Sequence, residues 1–279
     1  MESRVIHTNK GVIEYTLLGS GPVVLVCHGT SSNCFSVESF QPLVAAGFSL
    51  LTPSRPGYGR TSLEAGTSAS QAAEALIALM DALKMETCAV VGVSGGGPTA
   101  IALAAGWPDR VRALALVSAI SKPETRSEEP LYQNQTSFYG PMHSLMWALL
   151  GLISRLSPLG MARQTMALFS THDPADAFGQ LSPEDIKKIS RFYQNSSSRR
   201  GALIDQNHTV GKDLLQRIAV PTLVVHSRED ASVPFSHAEW SLANIAGSRL
   251  VESGATGHFF WVGPDYPRVV EELVKFLNQ

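Results

Sequence analysis

"CAVVGVSGGGPTAIALAAG", Cys88 to Gly106, sets a short β-branched apolar run against an alanine-rich helical one, with Ser94 and a cluster of glycines between them. That order predicts a strand ending at Val93, a tight turn at Ser94 and a helix starting near Pro98. Glycines between two elements are commonly a turn device, because glycine takes positive φ without a Cβ clash. Here the turn is sharp enough to force the serine itself into strained backbone angles. Gly92 and Gly96 then let the neighbouring backbone approach closely enough to hold it. Such a turn lifts the hydroxyl clear of the sheet at the C-terminal edge of the strands, where α/β sheets carry their sites. The free N–H groups of the following helix, Gly95 first, aim at any negative charge that forms beside Ser94, which is half of an oxyanion hole.

Working outward, six further β-rich runs alternate with helical stretches: Gly11 to Leu18, Pro22 to Gly29, Gly47 to Ser54, Val111 to Ala119, Pro221 to Ser227 and Ser248 to Gly254. Runs so continuously apolar predict strands covered on both faces, hence a mostly parallel, doubly wound α/β sheet. One helix is expected over Ser68 to Leu83, with Ser68 and Gln71 as a capping box and Ala73, Leu76, Ile77, Met80 and Leu83 on one apolar face. Others follow Ser236 and begin near Pro267. The rhythm breaks over 121–204, where strand signals give way to helical ones, so 1–120 and 205–279 are read as the core and 121–204 as an inserted helical cap. Within it, "MHSLMWALLGLISRL" is too interrupted for the ~20 apolar residues of a bilayer span and is read as a helix packed on the core. "SPEDIKKISRFYQN" opens another helix, with Ser182 as N-cap and Pro183 at its first position.

The 279 residues, 44% of them hydrophobic, suffice for a sizeable interior. A net charge of −2 with mixed signs gives no footprint for nucleic acid and no basic face for a membrane. The N-terminus lacks a secretory h-region, so a cytoplasmic protein is expected. Cys27, Cys34 and Cys88 fit no metal spacing and are read as buried thiols, with no disulfide, metal or cofactor expected.

A serine hydroxyl is a poor nucleophile at neutral pH and needs a base in hydrogen-bond reach, itself held by a carboxylate. Of eight histidines, His258 stands out, in the glycine-flanked "GATGHFF" after a strand at the edge where Ser94 emerges. His28 is expected to shape its loop, His226 lies in a strand, and His7, His143, His172, His208 and His237 carry no companion signal. For the acid, "VVHSREDASVP" puts Asp230 just past a strand end, with Glu229 and Glu124 as alternatives; Asp109 belongs to the opposite edge. The second oxyanion donor is expected from the loop after "VVLVCHG", at the backbone N–H of Thr30 or else Ser31. Leu145, Met146, Trp147, Leu149, Phe169, Phe192, Phe259, Phe260 and Trp261 point to an apolar pocket for a small-molecule substrate.

Together, "HGT" (28–30), "RPGYGRTS" (55–62), "GVSGGGP" (92–98), "DASVP" (230–234) and "GHFF" (257–260) resemble, in order and interval, the motifs of the α/β-hydrolase fold superfamily, over nearly the whole chain outside the insertion. The resemblance implies Ser94 as nucleophile, Asp230 as orienting acid, His258 as general base, Thr30 and Gly95 as oxyanion donors, and the insertion as the cap. Ser54 departs from the aspartate many relatives carry, and Ser227 from a common glycine; both bear on loop shape and leave the three side chains untouched. Serine at the elbow points away from the carboxylate-nucleophile branches, and Phe259 in place of a tryptophan points away from the carbon–carbon bond hydrolases. A carboxylesterase acting through an acyl-enzyme is therefore expected, with lactone, thioester or carbon–carbon cleavage and a ligand-binding receptor of the same fold as alternatives.

Overall fold

A computed structural model describes residues 2–123, 143–196, 200–205 and 208–279, so Glu124 lies outside the described residues. The strands are β1 (Arg4–Thr8), β2 (Gly11–Leu18), β3 (Val23–Cys27), β4 (Ser49–Pro53), β5 (Cys88–Val93), β6 (Val111–Val117), β7 (Thr222–His226) and β8 (Arg249–Glu252). They form one sheet in the order β1-β2-β4-β3-β5-β6-β7-β8. The pairs β1–β2 and β2–β4 are antiparallel and every later pair is parallel, as in an α/β-hydrolase fold. β1 is the strand the sequence does not announce. Its "RVIHT" sits at the sheet edge with no buried residue, so it carries no apolar run to read.

Helices α1 (Gln41–Ala45), α2 (Ala69–Ala82), α3 (Gly97–Gly106), α4 (His143–Leu156), α5 (Pro158–Phe169), α6 (Pro174–Gly179), α7 (Pro183–Asn195), α8 (Gly201–Asp205), α9 (Lys212–Gln216), α10 (Ser236–Asn244) and α11 (Tyr266–Leu277) accompany the sheet. Both sheet faces are buried, which is why the strands read as continuous apolar runs. Leu25, Val90, Leu114 and Leu116 pack on one side with α2, α3 and Leu215 of α9. Val24, Val26, Val91, Val117 and Val225 pack on the other with Leu43 of α1 and Val269, Leu273 and Phe276 of α11. Neighbouring strand residues thus serve opposite cores, as the two-residue period of a strand dictates.

Helix α2 starts where expected, with the Ser68 side chain accepting from Gln71 N. The expected capping box is not reciprocal, however: Gln71 Oε1 accepts from Thr67 N–H, one residue before the cap. At α7 the box is complete, between Ser182 and Asp185. Helices α4 to α8 lie between β6 and β7, and α5, α6 and α7 bury Met161, Ala162, Met166, Ala177, Ile189 and Tyr193 together with Phe259 and Val262 from the far end of the chain. Helix α4 differs from the sequence reading. Trp147 and Leu150 join that cluster, yet Leu145, Leu149, Leu152, Ile153 and Leu156 of the same helix are each about half exposed or more. Its apolar character therefore exceeds what its inward face uses. No helix among the described residues is long and apolar enough to cross a membrane.

Candidate active site

Ser94 follows β5 directly and holds a φ of 49°, while none of Gly92, Gly95, Gly96 and Gly97 has positive φ. The glycines are there for space. A Cβ on Gly92 would lie 2.6 Å from Ala100 Cβ of α3, and one on Gly96 would lie 2.1 Å from Cys27 O. The left-handed strain falls on the serine, whose carbonyl accepts from Ile120 N at 3.0 Å.

Two loops bring partners to the Ser94 hydroxyl. His258 Nε2 lies 3.0 Å from Ser94 Oγ, and Nδ1 lies 2.7 Å from Asp230 Oδ2. Against an ionised carboxylate Nδ1 carries the proton and donates, which leaves the Nε2 lone pair facing the hydroxyl. Asp230 Oδ1 accepts from Ser232 N at 2.9 Å and Val233 N at 2.8 Å. Burial alone would raise the Asp230 carboxyl, but the His258 charge and hydrogen bonding by its histidine neighbours outweigh it and hold the group well below the ordinary carboxylate range. His226 lies beside the same carboxylate: its Nε2 is 3.5 Å from Asp230 Oδ2 and pairs with Val233 O at 2.8 Å. Glu229 is half exposed and pairs instead with the Thr171 hydroxyl.

The carbonyl of Phe169, at the end of α5, accepts from His258 N at 2.9 Å and from Ala231 N at 3.3 Å. The last turn of α5 is thus wedged between the loop that carries the carboxylate and the loop that carries the imidazole. Ser227 Oγ joins those loops again by donating to Ala255 O. This is what serine supplies at a position where relatives commonly carry glycine. Ser54 is tied in as well: its hydroxyl donates to Glu14 Oε2 at 2.9 Å, and the same carboxylate on β2 accepts from Arg60 N and Nε.

Close to Ser94 also lie the backbone N–H groups of Thr30 and of Gly95, the residue that follows the serine. Neither has an acceptor elsewhere among the described residues, and a Cβ on Gly95 would lie 3.2 Å from Thr30 N. Thr30 lines the same cavity as Ser94 and His258, and a Cβ on Gly29 would sit 3.2 Å from Ser94 Cβ. His28 shapes this loop as a neutral ring, its Nε2 accepting from Arg55 N at 2.9 Å. Burial, and after it the Arg55 charge, push its imidazole down to about 3.

Sequence reasoning missed Asp205, buried at the end of α8. Its Oδ1 and Oδ2 accept from Arg55 Nη1 at 2.5 Å and Nη2 at 2.8 Å, and Oδ2 also accepts from Tyr58 Oη and Thr30 Oγ1, each at 2.7 Å. A lone acid closing "GALID" was the available signal, and only the buried Arg55 opposite gives it meaning. Two histidines without sequence companions also acquire surroundings: His208 Nδ1 is 3.8 Å from Asp205 Oδ1, and His237 Nδ1 accepts from Ser121 N and Lys122 N.

Ser94 and His258 open into a cavity of about 450 Å³ between the sheet edge and helices α4, α5 and α7. Trp147, Phe259 and Trp261 line it, with Leu150, Met161 and Phe169 among its other apolar walls. Among the described lining residues none is Lys, Arg, Asp or Glu. A second cavity of about 250 Å³ adjoins it at Phe192 and Trp261, and carries Glu184, Lys188 and Arg191. No group of three or more His, Cys, Asp or Glu among the described residues is gathered as a metal centre requires.

A family model described as alpha/beta hydrolase family matches residues 23–273. The chain is 33% identical to the uncharacterized hydrolase YcgS of Bacillus subtilis (strain 168), over 100% of both chains. It is 26% identical to 2-hydroxy-6-oxononadienedioate/2-hydroxy-6-oxononatrienedioate hydrolase 1 of Pseudomonas putida, over 88% of this chain and 85% of that one. Among solved structures, an alpha/beta hydrolase fold protein from Nakamurella multipartita superposes with a TM-score of 0.83 at 30% identity, covering 99% of each chain.

Proposed function

This chain belongs to the alpha/beta hydrolase family, and from that premise we propose that it is a serine carboxylesterase acting on neutral, largely apolar esters. The observation that carries this reading is the continuous line from Asp230 through His258 to Ser94, with contacts of 2.7 and 3.0 Å, at the mouth of an apolar cavity. His258 Nε2 takes the Ser94 proton as Oγ attacks the ester carbonyl carbon. The carbonyl oxygen becomes an oxyanion and accepts from Thr30 N–H and Gly95 N–H, while Asp230 stabilises the imidazolium through Nδ1–H. The tetrahedral adduct collapses, the ester C–O bond breaks and His258 returns the proton to the departing alcohol. Water, deprotonated by the same ring, then attacks the acyl-enzyme and releases the carboxylic acid and free Ser94. The helices of the insertion serve as the cap that closes over the acyl group.

The Pseudomonas putida relative is named for a substrate with two carboxylates. A dianion would bury charge against walls without a basic side chain among the described residues, which favours a neutral ester. Lactones and thioesters fit the same machinery and differ only in the leaving group. The test is direct. A fluorophosphonate should label Ser94, and Ser94→Ala should lose turnover of a p-nitrophenyl butyrate-type ester by on the order of ten-thousandfold or more; unchanged turnover would end the proposal.

A further inference from the structure

We propose that Asp205, supplied by the last helix before the chain re-enters the core, is a positioning residue for the oxyanion hole, acting through the hydroxyl of Thr30. The inference rests on the reading of Ser94 and Thr30 given above and extends it to a residue outside every motif of the chain. Thr30 Oγ1 donates to Asp205 Oδ2 at 2.7 Å, and that oxygen also receives Tyr58 Oη and Arg55 Nη2. A β-branched side chain has few χ1 choices, so fixing its hydroxyl fixes its backbone, and the backbone N–H of Thr30 is the group that must meet a forming oxyanion. The anchor is needed locally. Thr30 sits in a turn, its neighbour Ser31 has a φ of 63°, and its N–H has no acceptor elsewhere among the described residues to hold it in direction.

The surroundings are built for this carboxylate. Arg55 and Asp205 are both almost wholly buried, and the Arg55 fork engages both carboxylate oxygens. That pairing is required, because Oδ2 would lie 3.3 Å from a Cβ on Gly95, the other donor. An unbalanced negative charge there would oppose the oxyanion; a charge matched by guanidinium leaves the hydrogen bond and cancels most of the field. The turn at 55–59 also seats the helix that delivers the acid. Gly201 N donates to Gly57 O, and Gly201 has no room for a Cβ against the Tyr58 ring.

The test compares Thr30→Val, which keeps shape and loses the hydroxyl, with Thr30→Ser, which keeps the hydroxyl, and with Asp205→Asn. The readouts are kcat and KM on a neutral p-nitrophenyl ester and the inhibition constant of an alkyl boronic acid that forms a tetrahedral adduct on serine. Thr30→Val and Asp205→Asn should lower kcat about tenfold to a hundredfold with KM within about threefold, and boronate affinity should fall in step with kcat. Thr30→Ser should recover most of what Thr30→Val loses. If Thr30→Val keeps its kcat, or changes KM alone, the positioning role is overturned. Should Asp205→Asn fail to fold, the Thr30 pair still decides the matter. Ser94→Ala separates the two levels: turnover surviving in that variant would defeat the serine reading itself, whereas an inert Thr30→Val beside a dead Ser94→Ala would defeat only the role given to Asp205.

Discussion

Ser94 carries a φ of 49° on a residue with a Cβ, a conformation that costs an L-residue about 1–2 kcal/mol. That strain is held by its surroundings, so removing it should be visible in stability as well as in rate. Ser94→Gly and Ser94→Ala should both be inactive, yet the glycine variant should be the more stable of the two by about 0.5–1 kcal/mol, once the greater freedom of unfolded glycine is set against the relief. Urea unfolding of the pair checks this, and a glycine variant less stable than the alanine one by about 0.5–1 kcal/mol would mean the turn carries no strain. His28 gives a prediction in pH. Its imidazole is pushed down to about 3 by burial and then by Arg55, from an ordinary 6.5. Below that ordinary value the unfolded chain takes up a proton that the folded one refuses. Stability is therefore full above about pH 6.5 and is lost as pH falls toward 3, with a slope of up to about 1.4 kcal/mol per pH unit from this residue. His28→Gln should be less stable at neutral pH and show a shallower fall between pH 6.5 and 4. Asp230 is also held below its ordinary value, which in an acid favours the charged form, so it stays ionised through this window and an acid limb in kcat/KM above pH 4 belongs to another group. At this scale Ser94, Asp230 and His258 were legible because each follows a strand end within a few residues. Asp205 was not, because its partners Thr30, Arg55 and Tyr58 lie some 150 residues away and nothing local to "GALID" announces burial.

At the scale of elements, the approach of α3 to β5 is set by a missing side chain. A Cβ on Gly92 would come within 2.6 Å of Ala100 Cβ, so Gly92→Ala must push the helix off the sheet, and the helix starts three residues after the serine. The cost expected for such overpacking is about 1–3 kcal/mol, with turnover falling alongside because the Gly95 N–H moves with the helix. Ala100→Gly in the same chain returns the room, at about 1 kcal/mol for glycine inside a helix. The double variant should therefore be more stable than the sum of the singles implies, and a double-mutant cycle in urea measures the coupling; strict additivity would mean that the two positions do not meet. The strands and the longer helices could be read from the sequence because two cores press on the sheet and leave continuous apolar runs. Three things could not. β1 has no fully buried residue, α8 spans only five residues, and the outward face of α4 is apolar without a partner among the described residues, which looks in sequence like ordinary packing.

The whole molecule joins these pieces through the helices that lie between β6 and β7. Phe169 O ties α5 to both the Asp230 and the His258 loops, α8 sets Asp205 against Thr30, and the cavity lies between these two attachments. On the esterase reading proposed above, these helices act as a cap over the acyl chain, in a space of about 450 Å³ whose described walls include no Lys, Arg, Asp or Glu. Each methylene buried there is worth about 0.8 kcal/mol, close to a fourfold gain in kcat/KM, so neutral p-nitrophenyl esters should improve as the chain lengthens until the cavity is full. Trp147→Ala, which removes a wall contributed by α4, should move that optimum to a longer acyl chain. Charge discriminates more sharply than length. A p-nitrophenyl ester ending in a free carboxylate, matched in length to a good neutral ester, would leave an unpaired anion against apolar walls, at a cost of about 3 kcal/mol or more. Its kcat/KM should be lower by about a hundredfold or more, and Gln164→Arg, on the cavity wall, should narrow that gap by favouring the charged ester while slowing the neutral one. Equal rates for the two esters in the parent protein would mean that a basic group reaches the acyl chain, and the reading would then turn from monoesters toward the doubly charged substrate for which the Pseudomonas putida relative is named.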